Sequence, residues 1–350
     1  MDILNNAVIT NDCIRASVDV SEEELLSFCV ENGDILFQRS SETLEDVGRA
    51  NVYMDNKPAV FGGFVIRGKK KAEYDPLFFR YLLASPFARK KIIPMGAGAQ
   101  HFNIGQEGLN KVKLHFALLD EQKKIARLLS LLDERIAIQN KIIEDLKKLK
   151  CAIIEKHYRQ AKLHKYKICD LGVPFSVGSL SKEDLSEKGH ECILYGELFT
   201  TYDCVINEIK SHTNKIANMT LSQKRDLLFP SSTTVDAVSL ISPSVIDIPN
   251  VVLGGDMFGI HIDKKFNAYY LSYYINIITR KKLAIYAKGS TIIHLHYKDI
   301  AKAQLLLPDL CEQDRIAKCM MAEDDKIKVE EQLMTKLEEQ KQYLLRQMFI

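Results

Sequence analysis

Few residues in this chain have the types and spacing that chemistry needs. His294 and His296 could present two imidazoles on one face of a strand as metal ligands, and Asp34 and Asp226 could serve as carboxylates for metal-dependent cleavage. Neither set is completed. No Cys or carboxylate set stands beside the histidines, and the aspartates lack the spaced acidic and lysine partners that cleavage requires. The histidines read as a strand-surface pair, and the aspartates as turn residues at the starts of strands. No metal site is expected. Eight cysteines show no C-x-x-C pair and no regular spacing, so they are expected to be reduced packing residues. The sequence holds no G-x-x-x-x-G-K-[ST] loop and no dinucleotide-type glycine fingerprint. The Asn-Pro-Pro-Tyr signature of adenine methyltransferases is also missing, the nearest string being Ile248-Pro249-Asn250. Binding rather than catalysis is the expectation, with a nuclease or a methyltransferase as the rival class.

The frame around these residues is that of an ordinary globular protein. The 350 residues are 46% apolar and 27% charged, enough for two domains, and no apolar run approaches the roughly 18 residues that span a bilayer. Neither a basic leader nor an apolar segment opens the chain, so no membrane partner and a cytoplasmic location are expected. A net charge of +2 means that any nucleic-acid surface must be a local cluster of Lys and Arg.

An internal repeat decides the architecture. Gly33-Asp34-Ile35-Leu36-Phe37 recurs as Arg225-Asp226-Leu227-Leu228-Phe229, each followed by a hydroxyl-rich stretch, and Ala59-Val60-Phe61-Gly62-Gly63 recurs as Val251-Val252-Leu253-Gly254-Gly255. An aromatic helix around Phe78 and Tyr81 recurs around Tyr270 and Tyr273, with basic ends Arg89-Lys90-Lys91 and Arg280-Lys281-Lys282. Glycine loops follow at Gly96 to Gln100 and Lys288 to Thr291, where glycine suggests close backbone approach. The segment from Lys165 through Glu191 precedes copy two and has no equivalent in copy one, so the first domain reads as short by about one strand and its loop.

Each copy closes on a long helix that opens with Glu-Gln-x-x-Ile-Ala, at Gln122 and at Gln313, 191 residues apart. In the first, Ile125, Leu129, Leu132, Ile136, Gln139, Ile143, Leu146, Lys150 and Ile153 follow alternating steps of four and three. In the second, Ile316, Met320, Glu323, Ile327, Glu330, Met334, Leu337, Lys341 and Leu344 take the matching places. That is a coiled-coil seam. The economical packing sets one helix antiparallel against the other. The alternative is two independent amphipathic helices, each on its own domain.

The order of globular domain, long helix, second globular domain and second helix resembles the specificity subunit of type I restriction-modification systems. The resemblance is carried by Gly33 to Phe37, the Gly96 to Gln100 loop, Leu118 to Ala126, Leu131 to Ile136, Asp226 to Phe229, Leu306 to Gln313 and Asp325 to Ile327. It implies an α+β chain. Two repeated α/β target-recognition domains, at residues 1–118 and 161–309, would alternate with spacer helices at 119–160 and 310–350 in a pseudo-twofold arrangement. It implies a non-catalytic, DNA-binding subunit that reads a bipartite target in double-stranded DNA, with the helices as a ruler between half-sites. Adenine methylation and restriction would be performed by methyltransferase subunits, two of them, and by restriction and translocase subunits. S-adenosylmethionine, ATP and Mg would bind those partners and not this chain. The short first domain leaves open a truncated or recombined subunit that assembles without activity.

On that reading, affinity comes from Lys and Arg on phosphates and sequence from side chains at base edges. The phosphate candidates are Arg67, Lys69, Lys70, Lys71, Arg89, Lys90 and Lys91 in copy one, and Lys264, Lys265, Arg280, Lys281, Lys282 and Lys288 in copy two. The base-reading candidates are Gln38, Arg39, Ser40, Ser41, Gln100, His101 and Asn103, then Ser231, Ser232, Thr233, Ser290, Thr291, His294 and His296. Ser and Thr after a strand also cap the following turn, which is the competing role for each of them.

Overall fold

Two continuous helices, Leu119–Gln160 and Leu310–Gln347, carry the seam. At 1.5 Å per residue they are about 63 and 57 Å long. Leu129, Leu132, Ile143 and Leu146 are buried on the first, as are Ile316, Met320, Ile327 and Leu337 on the second. Ile125, Ile136, Ile153, Met334 and Leu344 are half-buried. The coordinates are a computed structural model that describes residues 2–349. They divide into two units, Met1–Ile142 with Glu330–Ile350, and Ile143–Val329.

Within the first unit the two helix segments run antiparallel. Ala126 and Leu129 pack with Leu345 and Phe349, Lys341 meets Asp133, and the Gln139 amide donates to the Glu330 carbonyl at 3.1 Å. Within the second unit Lys150 meets Asp324, Arg315 lies 3.1 Å from His157, and Ile154 shares a core with Ile316 and Met320. Numbers on one helix fall as those on the other rise, so the helices pair.

The aromatic helices fasten to these segments by the same bonds in both units. Asp75 caps Pro76–Ala84 by accepting from the Phe78 amide, and Asn267 caps Ala268–Tyr274 by accepting from the Tyr270 amide. Gln122 and Gln313 are 3% and 1% exposed, and each uses both ends of its amide. Gln122 accepts from the Asp75 amide at 3.0 Å and donates to the Ala117 carbonyl at 2.8 Å. Gln313 accepts from the Asn267 amide at 2.9 Å and donates to the Pro308 carbonyl at 2.8 Å. About three turns further along each long helix, the Tyr81 hydroxyl donates to Asp133 at 2.8 Å while Lys341 pairs its other oxygen at 2.5 Å. The Tyr273 hydroxyl donates to Asp324 at 2.5 Å, and Lys150 pairs its other oxygen.

The sheets follow the apolar repeats. In the first unit Ile35–Gln38 is central, antiparallel to Ala50–Val52 and to Val65–Gly68. In the second, Asp226–Pro230 is central to a five-stranded sheet ordered Val205–Ile206, Ser244–Ile246, Asp226–Pro230, Met257–Ile262, Gly172–Ser176. A second five-stranded sheet contains His190–Leu194, and His164–Lys167 pairs with Gln304–Leu307. The strands His164–Lys167, Gly172–Ser176 and His190–Leu194 have no counterpart among the described residues of the first unit.

Asp133 sits between opposing influences. Burial pushes its carboxyl up, but hydrogen bonds from Lys341 and Tyr81, with the nearby positive charges, outweigh burial and hold it below its ordinary value. Lys150 in the second unit is drawn down by burial and raised on balance by Asp324. Removing either carboxylate, by Asp133→Ala or Asp324→Ala, leaves a half-buried ammonium and a hydroxyl without their acceptor. The expected cost is about 2 kcal/mol each, read from urea denaturation. The pH dependence has a definite sign, because a depressed carboxylate stabilises above its unfolded pKa of about 4 and the contribution disappears as pH falls through the folded value. The stability gap between the wild type and Asp133→Asn should therefore close in acid and persist at neutral pH.

Candidate nucleic-acid interface

A chain that reads base edges needs polar side chains on rigid, exposed backbone. The structure supplies such backbone at the same place in both units. In the first, Ser40–Ser41 pairs antiparallel with Phe102–Asn103, and residues 97–103 form a hairpin closed by Ala97 and Asn103 through bonds of 2.9 and 2.8 Å. In the second, Ser232–Thr233 pairs with Ile293–His294, and residues 288–294 form a hairpin closed by Lys288 and His294 through bonds of 2.9 and 2.7 Å. Each hairpin is anchored one residue further on. Ile104 donates to the Arg39 carbonyl at 2.9 Å and Leu295 to the Ser231 carbonyl at 2.8 Å.

The turns depend on glycine. Gly98 has φ +145° and Gly289 φ +124°, and a Cβ at either would lie 2.0 Å from a carbonyl oxygen of its own hairpin, that of His101 or of Ile292. No other residue type fits there without moving the loop.

The candidate side chains fall into two groups. Gln100, His101 and Asn103 are exposed on the first hairpin, and Ser290, Thr291 and His294 on the second. Arg39 is exposed beside the first, its guanidinium 3.4 Å from the Gly63 carbonyl, and the Ser40 hydroxyl donates to Asn103 at 2.5 Å. His294 and His296 stack with centroids 6.2 Å apart, and Asp256 lies 4.0 Å from His294. Among the described residues no group of three His, Cys, Asp or Glu is placed to hold a metal.

Several other candidates are committed to the fold. Ser231 and Ser232 are buried. Ser41 and Thr233 accept from the amides two residues on, the capping role weighed for them above. Gln38 donates to the Ser40 carbonyl. Arg67 is 10% exposed and holds Asp34 at 2.6 Å, while Asp34 also accepts from the Glu31 amide as a turn residue. Asp226 caps the Gln223 amide in the same way and lies 2.6 Å from His261; burial pushes its carboxyl up, and those two bonds only partly offset it.

Arg89 and Arg280 are equivalent clamps. Arg89 donates to the Glu45 and Val47 carbonyls, and Arg280 to those of Val238 and Ser239 in the short helix Ala237–Leu240, so each fastens the segment after its hydroxyl-rich strand. Lys69 pairs with Glu31, Lys91 reaches the Lys113 carbonyl, and Lys288 pairs with Asp299. Lys70, Lys71, Lys90, Lys264, Lys281 and Lys282 are exposed, and exposed Lys265 lies over the Phe266 ring at 5.4 Å. Arg89 and Arg280, expected on phosphates, are instead engaged by main-chain carbonyls, and Asp256 had no signal in the sequence; the only sign of the clamps was the matched position of the two arginines.

The chain has relatives. The family described as type I restriction modification DNA specificity domain matches residues 2–148 and 166–339. The MjaX type I restriction enzyme specificity subunit of Methanocaldococcus jannaschii is 24% identical, over 93% of this chain and 80% of that one. A type I restriction-modification S subunit from M. genitalium superposes with TM-score 0.57 at 16% identity, covering 92% of this chain and 84% of its own. A structure titled for complex assembly and conformational transition of the type I R-M system gives TM-score 0.58 at 15% identity, covering 91% and 81%. Among the described residues no helix is long and apolar enough to cross a membrane.

The hairpins are tested by their glycines. Gly98→Ala and Gly289→Ala should each weaken DNA binding about tenfold or more in a titration at fixed salt while the melting temperature moves little, because the strain falls in an exposed loop.

Proposed function

The chain belongs to the type I restriction-modification DNA specificity family, and from that premise we propose that each hairpin reads one half of a bipartite target. The chain's role is DNA sequence specificity without catalysis of its own. Both halves match the family, which favours that role over an inactive, assembly-only form.

One observation carries the proposal. The same backbone device occurs twice, with the same closing bonds and the same strained glycine, but with different side chains on it. Asn103 stands where His294 stands in the second unit, and His101 where Ile292 does. Asn and Gln can pair two-fold with adenine in the major groove, whereas Ser, Thr and His make single bonds to several bases. A conserved scaffold with different side chains is what two unlike half-sites require, so the target is asymmetric. The exposed lysines at matched repeat positions, Lys90 with Lys281, would position the duplex through phosphates without reading it.

The division of residues that follows is a recognition domain at 1–118, a spacer helix at 119–160, a second recognition domain at 161–309 and a second helix at 310–350. DNA and assembly with methyltransferase and restriction subunits follow from the family. Two methyltransferase subunits, S-adenosylmethionine, ATP and Mg on those partners, and action in the cytoplasm belong to the proposal.

Co-expression with a methyltransferase subunit, followed by genome-wide mapping of modified adenines, tests it. The expected result is a motif of two short half-sites around a fixed gap. His101→Ala with Asn103→Ala should relax only one half-site, and Ser290→Ala with His294→Ala only the other, each by about 1–3 kcal/mol of discrimination. Loss of both halves from either double variant would contradict independent reading.

A further inference from the structure

Beside each hairpin stands a second turn, at matched positions of the repeat. In the first unit the Val65 amide donates to the Gly62 carbonyl at 3.0 Å, which closes a β-turn with Gly63 and Phe64 at its corners. In the second unit Gly255 and Asp256 lead into the strand Met257–Ile262, and the Met257 amide donates to the Gly255 carbonyl at 3.0 Å. Phe64 and Asp256 are 192 residues apart, as are Arg39 and Ser231.

One residue ties turn to hairpin in each unit. The Arg39 amide donates to the Phe64 carbonyl at 2.9 Å, and the Arg39 carbonyl accepts from Ile104 just past the hairpin. The Ser231 amide donates to the Asp256 carbonyl at 2.7 Å, and the Ser231 carbonyl accepts from Leu295. Successive Cα atoms lie about 3.8 Å apart and successive base pairs about 3.4 Å, so turn and hairpin are spaced to serve neighbouring base pairs. In the second unit their side chains come close, with Asp256 4.0 Å from His294.

The two turns present unlike side chains. Phe64 is 77% exposed, and the Asp256 side chain is 43% exposed. A single exposed apolar residue is ordinary on a protein surface, so exposure alone assigns Phe64 nothing. Its place does, because the same backbone bond holds it beside a hairpin whose counterpart carries a carboxylate at that position. In the major groove a phenyl ring meets the 5-methyl group of thymine, whereas a carboxylate accepts from the 4-amino group of cytosine.

We infer that these turns are a second pair of reading elements, Phe64 touching a thymine methyl in one half-site and Asp256 accepting from a cytosine amino group in the other. The inference rests on the proposal that the hairpins read bases. It adds an apolar contact to a set of side chains that otherwise only donate and accept. A carboxylate among phosphates is repelled unless a base donor meets it, so Asp256 rejects wrong bases as well as binding the right one.

The complex assembled with methyltransferase subunits is titrated with duplexes of its mapped target, each thymine in turn replaced by deoxyuridine, which lacks only the methyl group. At one position in the half-site that His101→Ala with Asn103→Ala relaxes, the wild type should bind the deoxyuridine duplex about fourfold more weakly, the worth of one buried methyl-sized group, and Phe64→Ala should bind both duplexes alike. The melting temperature should not move, since the ring is exposed. Asp256→Ala should relax a cytosine in the other half-site that His294→Ala leaves read. If Phe64→Ala keeps the wild-type sensitivity at every thymine while the hairpin variants relax their half-sites, the inference fails and hairpin reading stands. Hairpin variants that change neither half-site would remove both. Loss of co-purification with the methyltransferase subunit on Phe64→Ala would put the ring in a protein interface and overturn its DNA contact. Asp256→Ala and His294→Ala relaxing one and the same position would make Asp256 a positioning residue for His294 and overturn its contact with cytosine.

Discussion

The structure depends on a carboxylate held between a tyrosine and a lysine, made twice. Asp133 joins Tyr81 of an aromatic helix to Lys341 of the opposing long helix, and Asp324 joins Tyr273 to Lys150. Each long helix contributes an aspartate to one unit and a lysine to the other. A carboxylate with two donors, at the edge of a core that includes Phe78, Leu129 and Leu345 or Tyr270, Ile154 and Met320, fixes direction and register as well as contact. Apolar seam residues alone would tolerate a slip of one heptad. A lysine and an aspartate that must meet do not, and a misregistered helix would bury an unpaired charge.

The buried glutamines complete that registration. Gln122 and Gln313 bind the backbone amide at the cap of each aromatic helix, so the helix start is fixed relative to the long helix. The basic end that follows places Arg89 and Arg280 over the loops after the hydroxyl-rich strands, and those strands pair with the hairpins. A continuous line of bonds thus runs within each unit from the helix pair to the exposed hairpin. Residues that read DNA need this support, because a side chain on a loose loop loses affinity to its own ordering.

The fold was legible because it is written twice. The 4-3 spacing of Ile125, Leu129 and Leu132, and of Ile316 and Met320, located both helices, and Gln122 with Gln313 marked their starts. The reason for that glutamine was not legible, since nothing in Glu-Gln-x-x-Ile-Ala says that an amide will reach back to a cap some 47 residues away. Lys150 and Lys341 read as seam positions, and only their meeting with Asp324 and Asp133 gives them a role. Among the proposed interface residues, those from Gln100 to Asn103 and from Ser290 to His294 lie on the two hairpins. Spacing could not separate exposed from buried hydroxyls, because a Ser such as Ser232 faces inward or outward according to the strand that pairs with it. Nor could a basic cluster reveal that Arg67 belongs to Asp34 while Lys70 is free.

The central claim is that two hairpins on one duplicated scaffold touch bases at opposite halves of a target. Photocrosslinking tests it most directly. The assembled complex is bound to target DNA that carries 5-iododeoxyuridine in one half-site at a time, and the crosslinked peptides are identified by mass spectrometry. The account predicts crosslinks to residues 97–103 from one half-site and to residues 288–294 from the other. Crosslinks from both half-sites to a single hairpin, or to neither, would contradict it.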